Sequence, residues 1–275
     1  MRFAVSIILS LLLLALAGSC DGNHAVDETL DRAEAIMHSA PDSALAMLDS
    51  INPETLRGQR RRALHALLLS QAMDKNRIDT DNDSLINIAV SFYADDDDRR
   101  HRMLAYYYLG RVKYHADDNY RAAVNYMKAL DLATEFNDNY WIGLISRHIG
   151  VTFSKSYNCA EQLVYARKAF GHMRLTGKHS HTCSTMIILI ESLYDKGEFD
   201  EGISYAYRML DTVKTYGLTW HEQTANALIG KGHLFKNEDR KAIPFLKRAS
   251  APNSGATYIA VSYTHLRAHE TELHL

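Results

Sequence analysis

The chain has 275 residues, a formal net charge of −2 and a pI near 6.7. This balance provides no polycationic surface, which argues against nucleic acid as a direct partner. Hydrophobic residues make up 47% of the chain, so it can bury a core and is not intrinsically disordered. Only 4 Pro and 14 Gly in this length favour an all-helical build.

The first segment is an apolar run from Phe3 to Gly18 that follows a single positive charge. It is typical of a secretory signal peptide and is short for a spanning helix, which needs roughly 20 residues. Two cleavage sites fit. One is Ala15-Leu16-Ala17, which suits ordinary signal peptidase, and the other is the stretch Leu16–Cys20, which resembles the bacterial lipobox. We favour the second, which predicts a lipoprotein signal peptide over 1–19, lipid attachment at Cys20 and a linker over 20–26.

Lipidation predicts an exported bacterial protein anchored to a membrane, on its periplasmic or surface face. The alternative is a soluble exported protein with an incidental Cys20. Export would permit disulfides, but Cys159 and Cys183 are each expected near the start of neighbouring antiparallel helices. Their Cα atoms would then lie about 20 Å or more apart, and bridged Cα atoms lie within about 7 Å. No disulfide is predicted.

Small and apolar residues recur every 40 residues in the second half of the chain. The Gly110 column continues at 150, 190 and 230, and the Ala129 column continues at 169, 209 and 249. A period of this size indicates a repeat protein built from stacked helix pairs. Small residues on facing sides of two helices allow close approach of the backbones. The residues predicted to pack in this way are Leu109, Gly110, Ala122, Ala129, Gly150, Ala169, Gly202, Gly230, Ala242 and Ala249.

The repeat resembles the tetratricopeptide repeat (TPR). The matching residues are Tyr106, Leu109, Gly110, Ala122, Tyr126 and Ala129, and "GEFDEGISYAYRML" over Gly197–Leu210 follows the same pattern. The resemblance implies an all-α fold, a right-handed α-solenoid of antiparallel helix pairs, with about six pairs over 27–250. HEAT and armadillo repeats share a period near 40 but lack this small-residue pattern. "PDSALAMLDSI" over Pro41–Ile51 also resembles the opening of exported TPR proteins from anaerobic bacteria.

Two features depart from the TPR pattern. The period is 40 rather than 34, with the extra residues after Ala129, which predicts longer second helices. The repeat pattern also stops after Ala249, and residues 251–275 are irregular. Val261–Leu275 resembles a peptide that recurs at the ends of unrelated proteins, which we interpret as a translated sequencing adapter. The gene would then continue past roughly Thr257; the alternative is a genuine short tail.

Candidate catalytic and metal-binding stretches are weak. Asp79–Val90 begins like an EF-hand loop, but Ser84 and Val90 replace the required Gly and Glu, so a helix start is predicted there. His179, His181 and Cys183 lack a nearby fourth ligand and are assigned to an inter-repeat loop. The stretch 95–100 is interpreted as a charged turn. The basic cluster at 57 and 60–62 is interpreted as a solvated helix face, with lipid headgroups or a partner as the alternative. The sequence predicts no metal, no cofactor and no enzyme activity.

The TPR resemblance implies a concave groove lined by the first helix of each pair. The residues that match groove positions are Tyr107, Arg111, Tyr114, Arg147, Lys155, Glu191, Tyr194 and Lys231. Tyrosines interleaved with cations would suit an extended peptide with acidic or aromatic groups, although each Tyr could instead pack between helices. The leading hypothesis is an exported, lipid-anchored scaffold that binds a protein or peptide. The alternative is the sensory TPR segment of a longer membrane-bound signalling or transcriptional regulator.

Overall fold

The computed structural model describes residues 24–250. Residues 1–23 and 251–275 lie outside the described residues, and with them the predicted signal peptide, Cys20 and the irregular tail. The described part of the chain is all-α and contains no strand, so the predicted fold class is confirmed there.

Twelve α-helices occur between residues 24 and 250. They are α1 (24–36), α2 (Pro41–Asp49), α3 (Gln59–Lys75), α4 (Ser84–Tyr93), α5 (Arg99–His115), α6 (Asn119–Glu135), α7 (Asn139–Lys155), α8 (Cys159–Met173), α9 (His179–Asp195), α10 (Phe199–Thr215), α11 (Thr219–Phe235) and α12 (Asp239–Ala249). Short 3₁₀ turns lie at Pro53–Thr55 and Arg174–Thr176. In the frame of the repeat, odd-numbered helices are first helices and even-numbered helices are second helices.

The 40-residue unit divides into two equal halves. Helices α5, α6 and α7 each have 17 residues, and α9, α10 and α11 have 17 as well. A turn of three residues separates consecutive helices from α5 to α8 and from α9 to α12, such as 116–118 between α5 and α6. The second helices α6 and α10 continue past the Ala129 column, to Glu135 and Thr215, so the residues that follow Ala129 in the repeat lie in the second helix.

Left-handed residues end the helices at a spacing of 20. Positive φ angles between 53° and 78° occur at Asp117, Asn137, Tyr157, Gly177, Gly197, Gly217 and Asn237. The next N–H then turns back to the helix: Asp118 donates to the carbonyl of Lys113 at 2.9 Å, and Leu218 donates to Val213 at 2.9 Å. This is the Schellman arrangement, which satisfies carbonyls at a helix end and stops the helix.

The chain divides into two compact units, unit 1 (Met1–Leu132) and unit 2 (Ala133–Leu275). In the described part of unit 1, the largest fully buried side chains include Tyr93, Met103 and Tyr126. Unit 2 has its own core, in which Ile190, Met209 and Ile229 are fully buried. Each unit therefore buries apolar surface between its own helices.

The ten residues predicted to allow close packing of the helices are all buried. A Cβ added at Gly110 would lie 2.6 Å from the ring of Tyr126, and one at Gly230 would lie 2.5 Å from Leu246 Cδ2. A Cβ at Gly202 would overlap the ring of Tyr194. At Gly150 the nearest atom would be 3.5 Å away, which is an ordinary contact. Three of the four glycine positions thus require the absence of a side chain.

Candidate functional site

The first helices of unit 2 present a partly exposed face. Helix α9 packs against both α7 and α11. Positions spaced by three and four residues lie on one side of a helix, and the same three positions of each repeat are half-buried in all three helices. This unit-2 face consists of Leu144, Arg147, Val151, Ser184, Ile187, Glu191, Thr224, Ala227 and Lys231. It combines apolar, small and charged side chains, as a surface for an extended chain would.

Three of the predicted groove residues lie on the unit-2 face: Arg147, Glu191 and Lys231. Lys155 is exposed at the end of α7. Tyr194 is only 4% exposed, and its hydroxyl donates to the carbonyl of Leu228 at 2.9 Å. Tyr194 therefore packs inside unit 2 and does not line the face, which is the alternative that the sequence left open for each Tyr.

Lys231 and Glu191, two charged residues of the unit-2 face, have different surroundings. Lys231 Nζ lies 5.6 Å from the centroid of the Phe235 ring, on its own helix. Glu191 makes no hydrogen bond or ion pair with any residue in the described range. Burial raises the pKa of Glu191, Lys231 acts in the opposite direction, and Asp195 adds to the increase. The carboxyl group is thus held partly out of water without a donor.

In unit 1, the corresponding residues lie on α5. Tyr107 is 3% exposed and packs edge-on against Tyr108, with ring centroids 4.9 Å apart. Arg111 Nε donates to Asp74 Oδ1 of α3 at 2.6 Å. Burial would lower the pKa of Arg111, but the neighbouring Asp74 carboxylate outweighs it and raises the pKa. Tyr114 is half-buried beside the His115 ring. The positive charge of Arg111 on α5 is therefore already neutralised by Asp74.

A pocket of about 140 Å³ lies between α3, α4 and α5, beside this ion pair. Its lining includes Asp74, Tyr108, Arg111 and His115. The acidic stretch before α4 pairs with α5: Lys113 contacts Asp83, and His115 Nε2 lies 3.1 Å from Asp79 Oδ1. Helix α4 begins at Ser84, so the predicted helix start at the EF-hand-like stretch is confirmed.

The assignment of the His179–Cys183 stretch to a loop is wrong. Gly177 ends the preceding helical segment in the left-handed region, and α9 begins at His179. His179 stacks on Tyr216 with centroids 3.5 Å apart, and His181 lies 5.4 Å from the Tyr140 ring. Cys183 is buried, which raises its pKa to about 11. Among residues 24–250, no group of three or more His, Cys, Asp or Glu side chains is placed to hold a metal.

The two described cysteines lie where the sequence placed them, near helix starts. Cys159 is the first residue of α8, and Cys183 lies in the second turn of α9. Both are free thiols in the structure.

The basic cluster at the start of α3 is engaged within the chain. Arg61 forms a two-pronged pair with Asp27 of α1, at 2.6 and 2.7 Å. Arg62 Nε donates to the carbonyl of Leu56 at 2.9 Å, and Arg60 lies 3.5 Å from Asp98. The interpretation of this cluster as a purely solvated face is therefore incomplete. The predicted charged turn is confirmed over 95–98, and its last two residues, Arg99 and Arg100, belong to α5 instead.

One partly buried polar cluster was not predicted from the sequence. His101 Nδ1 lies 2.6 Å from Asp98 Oδ2, and His101 Nε2 lies 3.0 Å from Glu34 Oε1. Glu34 is 67 positions away in sequence, so no local pattern could reveal the pair.

No protein-family model matches the chain, and no curated protein is similar enough to count as a relative. Solved structures do match. A STAND signal-transduction ATPase with a tetratricopeptide repeat sensor from Pyrococcus horikoshii aligns at TM-score 0.66 and 13% identity, covering 82% of this chain and 36% of that chain. The nearly identical TPR-like repeats of a Podosopora anserina kinesin light chain align at 0.60 and 9%, covering 74% and 100%.

A Rap protein complexed with Competence and Sporulation Factor aligns at TM-score 0.62 and 14% identity, covering 83% of this chain and 65% of that chain. At these identities the likeness concerns the fold alone, which is a TPR-like solenoid of helix pairs. Within residues 24–250, no helix is long and apolar enough to cross a membrane.

Proposed function

We propose that this chain is a non-catalytic TPR-like scaffold that binds a protein or peptide along its first helices. The observation that carries the proposal is the unit-2 face, where nine half-buried side chains recur in register on three neighbouring helices. Such a strip offers apolar contacts and polar groups at regular intervals, as an extended peptide requires. The fold is shared with a Rap protein complexed with Competence and Sporulation Factor, which supports a binding role.

The proposal includes export and anchoring. An apolar segment ending in Cys20 is the sequence feature that supports a lipidated N-terminus. Two or more acyl chains are needed for a stable anchor, and a bacterial lipobox cysteine would supply them. We expect labelled palmitate to be incorporated into the wild type and not into Cys20→Ala. An unlabelled wild type, or label that persists in Cys20→Ala, would contradict the anchoring proposal.

The test of binding is selection from a phage-displayed library of 12-residue peptides on the full chain in detergent. Ala227→Arg places a long side chain on the unit-2 face, and Val164→Arg changes a 58%-exposed residue of α8 as a matched control. We expect specific peptides to be enriched on the wild type and on Val164→Arg, with binding lost on Ala227→Arg. Equal binding to all three proteins would place the binding surface elsewhere, and no enrichment on any protein would contradict peptide binding.

A second candidate is a sensory segment of a longer regulator. It is favoured by the match to the STAND signal-transduction ATPase, a protein with a tetratricopeptide repeat sensor, of which the aligned part covers 36%. Sequencing the locus through the codons for Ala256 to Leu275 tests it. Further repeats, an apolar span and a DNA-binding domain after residue 257 would support the candidate, and a stop codon after Leu275 would exclude it.

A further inference from the structure

The central charged residue of the unit-2 face is Glu191. It lies in α9, the helix flanked by α7 and α11, and its repeat equivalents are Val151 and Lys231. Ile187 lies one turn before it on the same side of α9 and is half-buried. Any chain that runs along the face across α7, α9 and α11 must pass this carboxyl group.

Lys231 acts on the charge of Glu191, but the Glu191 carboxylate has no hydrogen-bonded partner among the described residues. The neighbouring carboxylate, Asp195, accepts a hydrogen bond from Gln162 Nε2 at 3.2 Å, and Lys231 is directed at the Phe235 ring. No residue between 24 and 250 donates to Glu191 or forms an ion pair with it. A carboxylate that is partly withdrawn from water without a donor is costly to the folded state.

We infer that the partner bound on the unit-2 face places a lysine or arginine side chain against Glu191. This inference rests on the proposed function and names the chemistry of the bound peptide. A charge-assisted hydrogen bond from the cation would satisfy the carboxylate, and the apolar stem of the side chain would lie along Ile187. Burial also raises the pKa of Glu191, and a bound cation would reverse this increase.

The inference differs from the expectation drawn from the sequence, which was an extended peptide with acidic or aromatic groups. That expectation depended on the cations at the predicted groove positions. Arg111 pairs with Asp74, and Lys231 faces its own aromatic neighbour. The Glu191 carboxylate accepts no hydrogen bond from residues 24–250, so a partner can complement it.

The test uses peptides selected on the wild-type full chain by phage display. Each enriched peptide is synthesised with its basic residues intact and with each one replaced in turn by Gln. Dissociation constants of both forms are then measured on the wild type, on Glu191→Gln and on Asp195→Asn. Asp195 is the matched control because it is an acidic residue one turn further along α9 that already has a partner.

We expect one basic residue whose replacement by Gln weakens binding to the wild type and to Asp195→Asn about tenfold or more. On Glu191→Gln, the two peptide forms should bind equally. Peptides that bind with the same affinity to the wild type and to Glu191→Gln would overturn the inference and leave the proposed function standing. Failure to enrich any peptide would contradict the proposed function, and the inference would fall with it.

Discussion

Gly110 and Gly150 share one column of the repeat, but the free space beside their Cα atoms differs. At Gly110 an added Cβ meets the fully buried ring of Tyr126 at 2.6 Å, whereas at Gly150 it meets nothing closer than 3.5 Å. The difference arises from the side chains across the helix pair. A buried aromatic ring cannot move aside in a close-packed core.

This difference gives a prediction for two matched substitutions. Gly110→Ala should destabilise the protein by about 1–3 kcal/mol, because the new methyl overpacks the contact with Tyr126. Gly150→Ala should be neutral or stabilising by up to about 1 kcal/mol, because alanine favours the helix. Urea unfolding followed by circular dichroism measures both. Equal destabilisation by the two substitutions would contradict the packing described for Gly110.

Tyr157 is a strained residue at a helix end. Its φ is 55°, and its side chain is 92% exposed, so the ring contributes little packing. Tyr157→Gly should stabilise the fold by about 0.5–1 kcal/mol, since relief of the left-handed strain exceeds the entropy cost of glycine. Tyr157→Ala keeps a Cβ in the same conformation and should give no gain. A melting temperature that rises with Ala as much as with Gly would exclude backbone strain as the cause.

The sequence contained the signal for these helix ends. Six of the seven left-handed positions with a spacing of 20 are Gly, Asn or Asp, the residues that best tolerate this conformation. The small-residue columns identified the ten packing positions from the sequence. Which glycines are crowded could not be predicted, because that depends on the orientation of a side chain on another helix.

At the scale of helices, His101 joins three elements of unit 1. Its ring lies between Glu34 of α1 and Asp98, which caps α5, and it is 5.2 Å from the Tyr93 ring of α4. Arg60 of α3 lies 3.5 Å from Asp98. Burial alone would lower the pKa of His101, but the hydrogen bonds to the two carboxylates outweigh burial and raise it.

Because its pKa is raised in the folded protein, His101 contributes to the stability of the fold in a pH-dependent way. The stabilisation is fully present below the unfolded pKa, about 6.5, and is lost as the pH rises through the folded pKa. The free energy of unfolding should therefore decrease between pH 6 and pH 8.5 more in the wild type than in His101→Asn. His24→Asn, at a 77%-exposed side chain, is the control and should behave like the wild type. The same slope in His101→Asn and the wild type would show that His101 carries no pH-dependent stability.

Helix existence and order were accessible from the sequence, but the positions of the turns were not. The period of 40 was visible, yet its division into equal halves depends on the turns, where Asp117 and Asn137 end their helices. The start of α9 at His179 was missed for the same reason, because Gly177 was not recognised as a helix end.

At the scale of the molecule, contacts between repeats decide which charges remain available to a partner. The sequence correctly placed Arg147, Glu191 and Lys231 on first helices, but it could not show that Arg111 is paired. Asp74 lies 37 positions earlier, and the pair exists only because α3 and α5 are neighbours. The sequence therefore could not show which of the predicted groove charges are paired through contacts between repeats.

Photo-crosslinking in the native host cell tests most directly whether a protein or peptide binds along the first helices. A benzoylphenylalanine residue is placed at Ser184 on the unit-2 face or at Val164 on α8, which is 58% exposed. We predict that irradiation yields a discrete adduct with one protein or peptide from Ser184 and none from Val164. An adduct from Val164 with none from Ser184 would contradict binding along the first helices.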